Sequence, residues 1–374
     1  MNDQISLLVR ELGRKLPSCR KLLIGFDGFV DEIIRCVDRR IDADRYEPIP
    51  TITDFARRIG RAAGLSTNVE LVPLVRKLGG NGPILAAALA PHGYSIDYVG
   101  ALGLPNPDPL FQIPGRVRLS TLADFAHTDA LEFQDGKIQL GKTAPLNAIT
   151  PERLEAVLGK KGWHDMVAGA DLFAAVNWSM IPGMTRIWEN LLSDVLPSLP
   201  ERKTRPVFFV DLADPEKRLP ADVRNALGML REFRRRFYVV LGLNKKEAYD
   251  VARVLGLFSE SATPTLAEVT EALRSRVSVD AVVVHPVERS AVATETGFFE
   301  AEGPYCAHPV ITTGAGDNFN GGFLAALLSG LDPESCLLCG MATSGFYVRN
   351  GKSPSTNELL AFLAKWAEGG WKGE

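Results

Sequence analysis

The segment Thr312-Thr313-Gly314-Ala315-Gly316-Asp317-Asn318-Phe319-Asn320-Gly321-Gly322-Phe323 places a carboxylate directly after a turn of small residues. Phe319, Phe323, Ala326 and Leu327 follow at helical spacing, and Gly330 ends the run. A helix start leaves backbone N–H groups unpaired and adds the positive end of the helix dipole, which together favour an anion such as a phosphate. Gly and Ala let that anion approach closely. A carboxylate in the first turn can then take a proton from a hydroxyl that attacks a phosphoryl group. Asp317 is therefore the candidate catalytic base, and the amides of Gly314, Ala315 and Gly316 form the candidate anion hole. The plainer alternative is a tight turn followed by a favourable first-turn acid. The chain contains no GxxxxGK[ST], so this is not a Walker loop.

This signature resembles that of the ribokinase-like (PfkB) carbohydrate kinase family, in which the aspartate is the base and the Gly-Ala-Gly amides stabilise the charge that develops during transfer. Further matches extend the resemblance from about Leu22 to Pro354. Gly79-Gly80-Asn81-Gly82 resembles the family's N-terminal Gly-Gly-Asn element, which implies that Gly79, Gly80 and Asn81 bind sugar hydroxyls; unaided, the motif reads as a turn and helix cap. Asp31, after the first strand, stands where the family grips the acceptor's hydroxyls. Asp27, four residues earlier, is spaced like the polar pair of nucleoside kinases, so both carboxylates are candidate substrate ligands. Asn244-Lys245-Lys246-Glu247 matches an Asn-x-x-Glu element that positions phosphate and metal waters, which implies Mg²⁺ without assigning a direct protein ligand. The same residues also read as a helix N-cap with a capping acid. His285-Pro286-Val287-Glu288 replaces a usual Thr-x-Gly, and Ile311 replaces the aspartate before the signature, so nucleotide contacts there and a monovalent cation are not implied.

Continuous apolar runs of the kind found in strands covered on both faces occur at Leu22–Ile24, Ile96–Val99, Phe173–Val176, Val207–Val210, Tyr238–Leu241 and Val282–Val284. Longer helical patterns separate them, as crossover connections between parallel strands require. Asn177 and Asp211 each follow such a strand, where ligands of open α/β sheets bind. Leu131–Gln134 and Lys137–Leu140 instead alternate apolar and polar residues around Asp135-Gly136, a two-residue hairpin signal. The segment Val37–Pro48 is a candidate to pair beside it. The pattern points to a layered α/β sheet, and the resemblance implies a ribokinase-like three-layer α/β/α sandwich with a mostly parallel central sheet. The whole chain, residues 1–374, is expected to form a single domain with a small β-sheet lid inserted at about 32–50 and 118–146.

Composition excludes several other classes. Of 374 residues, 46% are hydrophobic and 23% charged with a net charge of -3, a globular balance. The cluster Arg234-Arg235-Arg236 is too short for a nucleic-acid surface. No apolar run is long enough to span a bilayer, and Met1–Lys15 lacks a signal-peptide core, so a cytoplasmic protein is expected. Five scattered cysteines give no disulfide framework, and Cys336 and Cys339 read as core thiols. The resemblance thus implies an ATP-dependent phosphotransferase acting on a hydroxyl of a small sugar or sugar-like acceptor, with homodimerisation through the lid or a monomer's flap as alternatives. Rival readings are a nucleoside kinase of the same fold and a non-catalytic sugar sensor. A dehydrogenase is disfavoured because the first strand lacks a following G-x-G-x-x-G.

Overall fold

The computed structural model describes residues 2–259 and 261–371. Among them, fourteen strands follow one another as β1 (Lys21–Phe26), β2 (Phe29–Arg40), β3 (Tyr46–Pro48), β4 (Leu71–Gly79), β5 (Ser95–Ala101), β6 (Arg116–Ala123), β7 (Ala126–Phe133), β8 (Gly136–Lys142), β9 (Leu172–Val176), β10 (Val207–Asp211), β11 (Tyr238–Leu243), β12 (Ala281–Val284), β13 (Arg289–Thr294) and β14 (Gly297–Glu302). Nine of them form one sheet in the order β14-β13-β12-β11-β10-β9-β1-β5-β6. Neighbours are parallel from β6 through β12, and only β13 and β14 run antiparallel. Each apolar run read from the sequence lies within one of these strands. β9 and β12 are buried along their whole length, as strands with helices on both faces must be.

One face of the sheet packs on Trp163, Trp188, Leu227 and Phe233, the other on Leu85, Phe323, Leu337 and Leu363. These two cores make the three layers. Cys336 and Cys339 are fully buried in the second, so the CxxC is core packing. No helix among the described residues is long and apolar enough to cross a membrane.

A separate five-stranded sheet has the order β3-β2-β7-β8, with β4 also paired to β2. The hairpin forms around Asp135-Gly136 as its turn chemistry dictates. Its neighbour is the start of β2, where Phe29–Ile34 runs parallel to Ala126–Leu131, whereas Val37–Arg40 folds back on β3. Two elements depart from the expected inserted segments. Residues 116–123 form β6 at the edge of the large sheet, and β4 lies outside both segments yet joins the small one. β4 escaped the sequence reading because Leu-Val-Pro-Leu-Val-Arg-Lys has no clean alternation, and its proline is accommodated opposite Ile34, where the β2–β4 register shifts.

Phe208 stacks on Phe233 at a centroid distance of 4.4 Å, interplanar angle 15°, and is fully buried. Phe208→Ala should therefore cost about 3–5 kcal/mol in urea-induced unfolding. A loss below about 1 kcal/mol would show that this face of the sheet is not the packed core described here.

Candidate active site

The parallel strands deliver their following residues to one edge of the sheet. Asp27 comes directly after β1, Asn177 after β9, Asn244 after β11 and His285 after β12, while Asp211 ends β10. Ligands of open α/β sheets bind at that carboxyl edge. Two helices start there as well, Asn81–Leu89 and Ala315–Leu328, and their first turns meet: Asn81 Nδ2 donates to Asp317 Oδ1 at 3.0 Å.

The turn before Asp317 demands glycine at Gly314. Its φ is 90°, and a Cβ there would lie 3.0 Å from the Tyr347 hydroxyl and 3.1 Å from Ile84. Tyr347 fixes the turn by donating to the Thr313 carbonyl at 2.8 Å. The three expected anion-hole amides are not equivalent. Ala315 commits its N–H to the Thr312 carbonyl at 3.1 Å. Among the described residues, the N–H groups of Gly314, Gly316 and Asp317 have no protein acceptor, as the first amides of a helix require if they are to bind an anion.

Asp27 departs from its expected place as a substrate ligand. It is fully buried, and both oxygens are taken: Oδ2 accepts from Asn81 N at 2.8 Å and Asn177 Nδ2 at 2.9 Å, and Oδ1 from Gly82 N at 2.9 Å. The Tyr98 hydroxyl donates to the Asp27 carbonyl at 2.7 Å. No oxygen is left for a diol. Asp27 instead caps the helix that carries Asn81, and Asn177 serves it rather than the cavity. Asp31 lies on β2 with 8% exposure, beside Thr128 and Lys77. A Cβ at Gly79 would sit 2.4 Å from its carboxylate, so Gly79 makes room for Asp31.

A cavity of about 420 Å³ opens beside Asp317, and Asn81, Asp211, Asn244, Glu247, His285 and Gly316 are among its polar lining. Val287, Tyr305, Met341 and Val348 line its apolar part. Asn244 and Glu247 form a reciprocal capping box, with Asn244 Oδ1 accepting from Glu247 N and Glu247 Oε2 accepting from Asn244 N, both at 2.9 Å. Glu247 Oε1 takes the Asp214 amide at 2.9 Å. Asp211 Oδ2 accepts from Asn320 Nδ2 at 3.1 Å. His285 stands over Phe319 with centroids 4.9 Å apart, and burial pushes it down to about 4, so it is a neutral imidazole.

Burial raises the proton affinity of Asp317 well above the usual carboxylate range, and Asp211, Asp27 and Glu247 add to the rise while Asn81 opposes it. Asp211 is raised by burial and then by Glu247, and Glu247 is itself raised by burial. Carboxylates crowded in a poorly solvated cleft next to unpaired amides fit a hard oxygen-seeking cation together with phosphate groups. Sequence reading missed Asn320, Tyr347, Thr128 and Lys77. Asn320 had a signal, since it sits inside the signature one turn beyond Gly316. The other three are brought in by packing or sheet pairing alone.

This arrangement belongs to a known fold. Ribokinase from Arabidopsis thaliana, solved with ribose and ATP, matches with a TM-score of 0.61 over 92% of this chain and 99% of that one at 19% identity. Adenosine kinase from Sinorhizobium meliloti matches with a TM-score of 0.61 over 94% and 99% at 20% identity. The fold is thus the one these ribokinase-type structures share. Within it, the profile of prokaryotic ketohexokinase matches residues 2–366, and the chain belongs to that family. A ketohexokinase of Haloferax volcanii is 29% identical over 350 residues, 93% of this chain and 92% of the relative. The protein is a carbohydrate kinase, a phosphotransferase with an alcohol acceptor.

The raised proton affinity of Asp317 has a thermodynamic consequence. A carboxyl raised in the folded state contributes stability that is fully present below its ordinary value near 4 and is lost as pH rises through the folded value. Asp317→Asn carries no such term, and the buried histidines cancel in the difference. In urea unfolding without ligands, the variant should gain on the wild type as pH rises from 5 to 8. A variant that instead falls further behind at pH 8 would contradict the electrostatics described for the site.

Proposed function

We propose that the chain transfers the γ-phosphoryl group of ATP to a hydroxyl of a ketohexose. The observation that carries this reading is the placement of Asp317, which is held by Asn81, faces the cavity and follows a turn of unpaired amides. Asp31 and Asn81 orient the acceptor. Asp317 takes the proton from the attacking hydroxyl, the acceptor oxygen forms its bond to phosphorus, and the bond from phosphorus to the bridging oxygen breaks. ADP leaves with that oxygen and its electron pair. The amides around Gly314–Gly316 stabilise the charge on the phosphoryl oxygens, with Ala315 contributing the turn's shape.

Asp211, Asn244 and Glu247 are the groups that would hold Mg²⁺ and its waters. The ion would neutralise phosphate charge during transfer. The family profile and the Haloferax relative support the ketohexose over a nucleoside acceptor. The small sheet is read as a lid on a single kinase unit, with Asp31 on its strand β2 beside Lys77 and Thr128. Its exposed Leu71, Leu74, Val75 and Leu140 suit contact with a second copy of the chain.

Asp317→Ala should lower kcat on fructose by on the order of 10³-fold with a small change in KM, because proton removal is a feature of the transition state. A coupled assay of ADP release with fructose, ribose, nucleosides and polyols tests both claims. Near wild-type turnover by the variant would refute the mechanism, and a preference for nucleosides would refute the acceptor.

A further inference from the structure

The hairpin tip of the small sheet touches the signature turn. Lys137 Nζ lies 3.1 Å from Thr313 Oγ1, one residue before Gly314. The hairpin is held in place rather than draped: Asp135 Oδ1 accepts from Ile52 N at 2.9 Å, and Gln134 N donates to the Pro50 carbonyl at 2.9 Å. The turn it meets is anchored as well, through Tyr347.

Lys137 meets the turn without an acid beside it. Among the described residues, neither Lys137 nor the half-buried Lys77 has a carboxylate within ion-pair distance, although Glu132 is Lys137's partner in the β7–β8 register. By contrast, Lys142 on the same strand pairs with Asp129 at 2.7 Å. The charge of Lys137 reaches both Asp31 and Lys77, while its ammonium touches Thr313 of the donor's amide turn. The remainder of the cleft carries the acids Asp31, Asp211, Glu247 and Asp317. Charge that spreads over the oxygens of a passing phosphoryl group would meet the Lys137 ammonium at this junction.

We propose that Lys137 is a catalytic cation carried by the lid, leaving Thr313 to contact the phosphoryl group as it moves from ATP to the acceptor. The inference rests on the phosphoryl transfer proposed above. The bonds made and broken are those of that reaction, and Lys137 keeps its proton throughout. A lysine that only tethers the lid would favour closure over any acceptor equally. A lysine that reads the phosphoryl group discriminates between the sugar and its phosphate ester.

The test compares wild type, Lys137→Ala, Lys137→Arg and the control Lys142→Ala in steady-state kinetics with MgATP and fructose. Calorimetric binding of fructose and of fructose 1- and 6-phosphate, each alone, completes it. Lys137→Ala should lower kcat about 10²-fold. It should weaken binding of the product ester about tenfold while leaving fructose affinity unchanged, and Lys137→Arg should restore part of both effects. Unchanged kcat, or equal weakening of fructose and its esters, would overturn the inference while leaving Asp317's role intact. A wild type that consumes no ATP with any acceptor would overturn the proposed function and this inference together.

Discussion

The hydrogen bond from Asn81 to Asp317 joins two helix starts separated by most of the chain, and the site depends on it. Its donor is held from behind. Asp27 binds the amides of Asn81 and Gly82, so a fully buried carboxylate just after the first strand sets where the Asn81 side chain points. Its acceptor sits in the first turn of a helix whose preceding backbone is shaped by Gly314 and tied down by Tyr347. A hydrogen bond to the charged carboxylate lowers its proton affinity, whereas burial and neighbouring acids raise it. Asn81 thereby both aims the Asp317 carboxylate and moderates its proton affinity.

Burying Asp27, Asp211, Glu247 and Asp317 around one sheet edge is costly for a folded chain with nothing bound. The protein limits that cost by giving the carboxylates nearby donors. Asp27 has three close donors, Asp211 takes the Ala213 amide and Asn320, and Glu247 closes a capping box and binds Asp214. Asp317 has a single side-chain donor, leaving it the carboxylate of this group least committed to the protein. That asymmetry is what the role proposed for Asp317 requires.

Much of the large sheet was legible because both faces of its strands are covered, which leaves continuous apolar runs such as Phe173–Val176 and Val207–Val210. The hairpin at Asp135-Gly136 was legible through turn chemistry. β4 was not, because its strand state depends on pairing with β2 rather than on its own pattern. At the site, Asp317, Asn81, Asn244 and Glu247 were readable as a constellation and do line one cavity. Asp27 was readable as a polar residue at a strand end, but its saturation by backbone amides is a tertiary fact. The N–H of Ala315 meets the Thr312 carbonyl whereas those of Gly314 and Gly316 meet none, and no residue type announces that. Lys137 acquires meaning only because the small sheet folds back over the signature turn.

In the proposed mechanism Asp317 takes the acceptor's proton while Asp31 only holds the acceptor. A crystal structure of the protein with fructose and an unreactive ATP analogue addresses it directly. The reacting hydroxyl should lie about 2.6–3.2 Å from an Asp317 oxygen, with the γ-phosphate against the free amides of the signature turn. A bound sugar whose hydroxyl nearest the γ-phosphate contacts Asp31 and not Asp317 would contradict it.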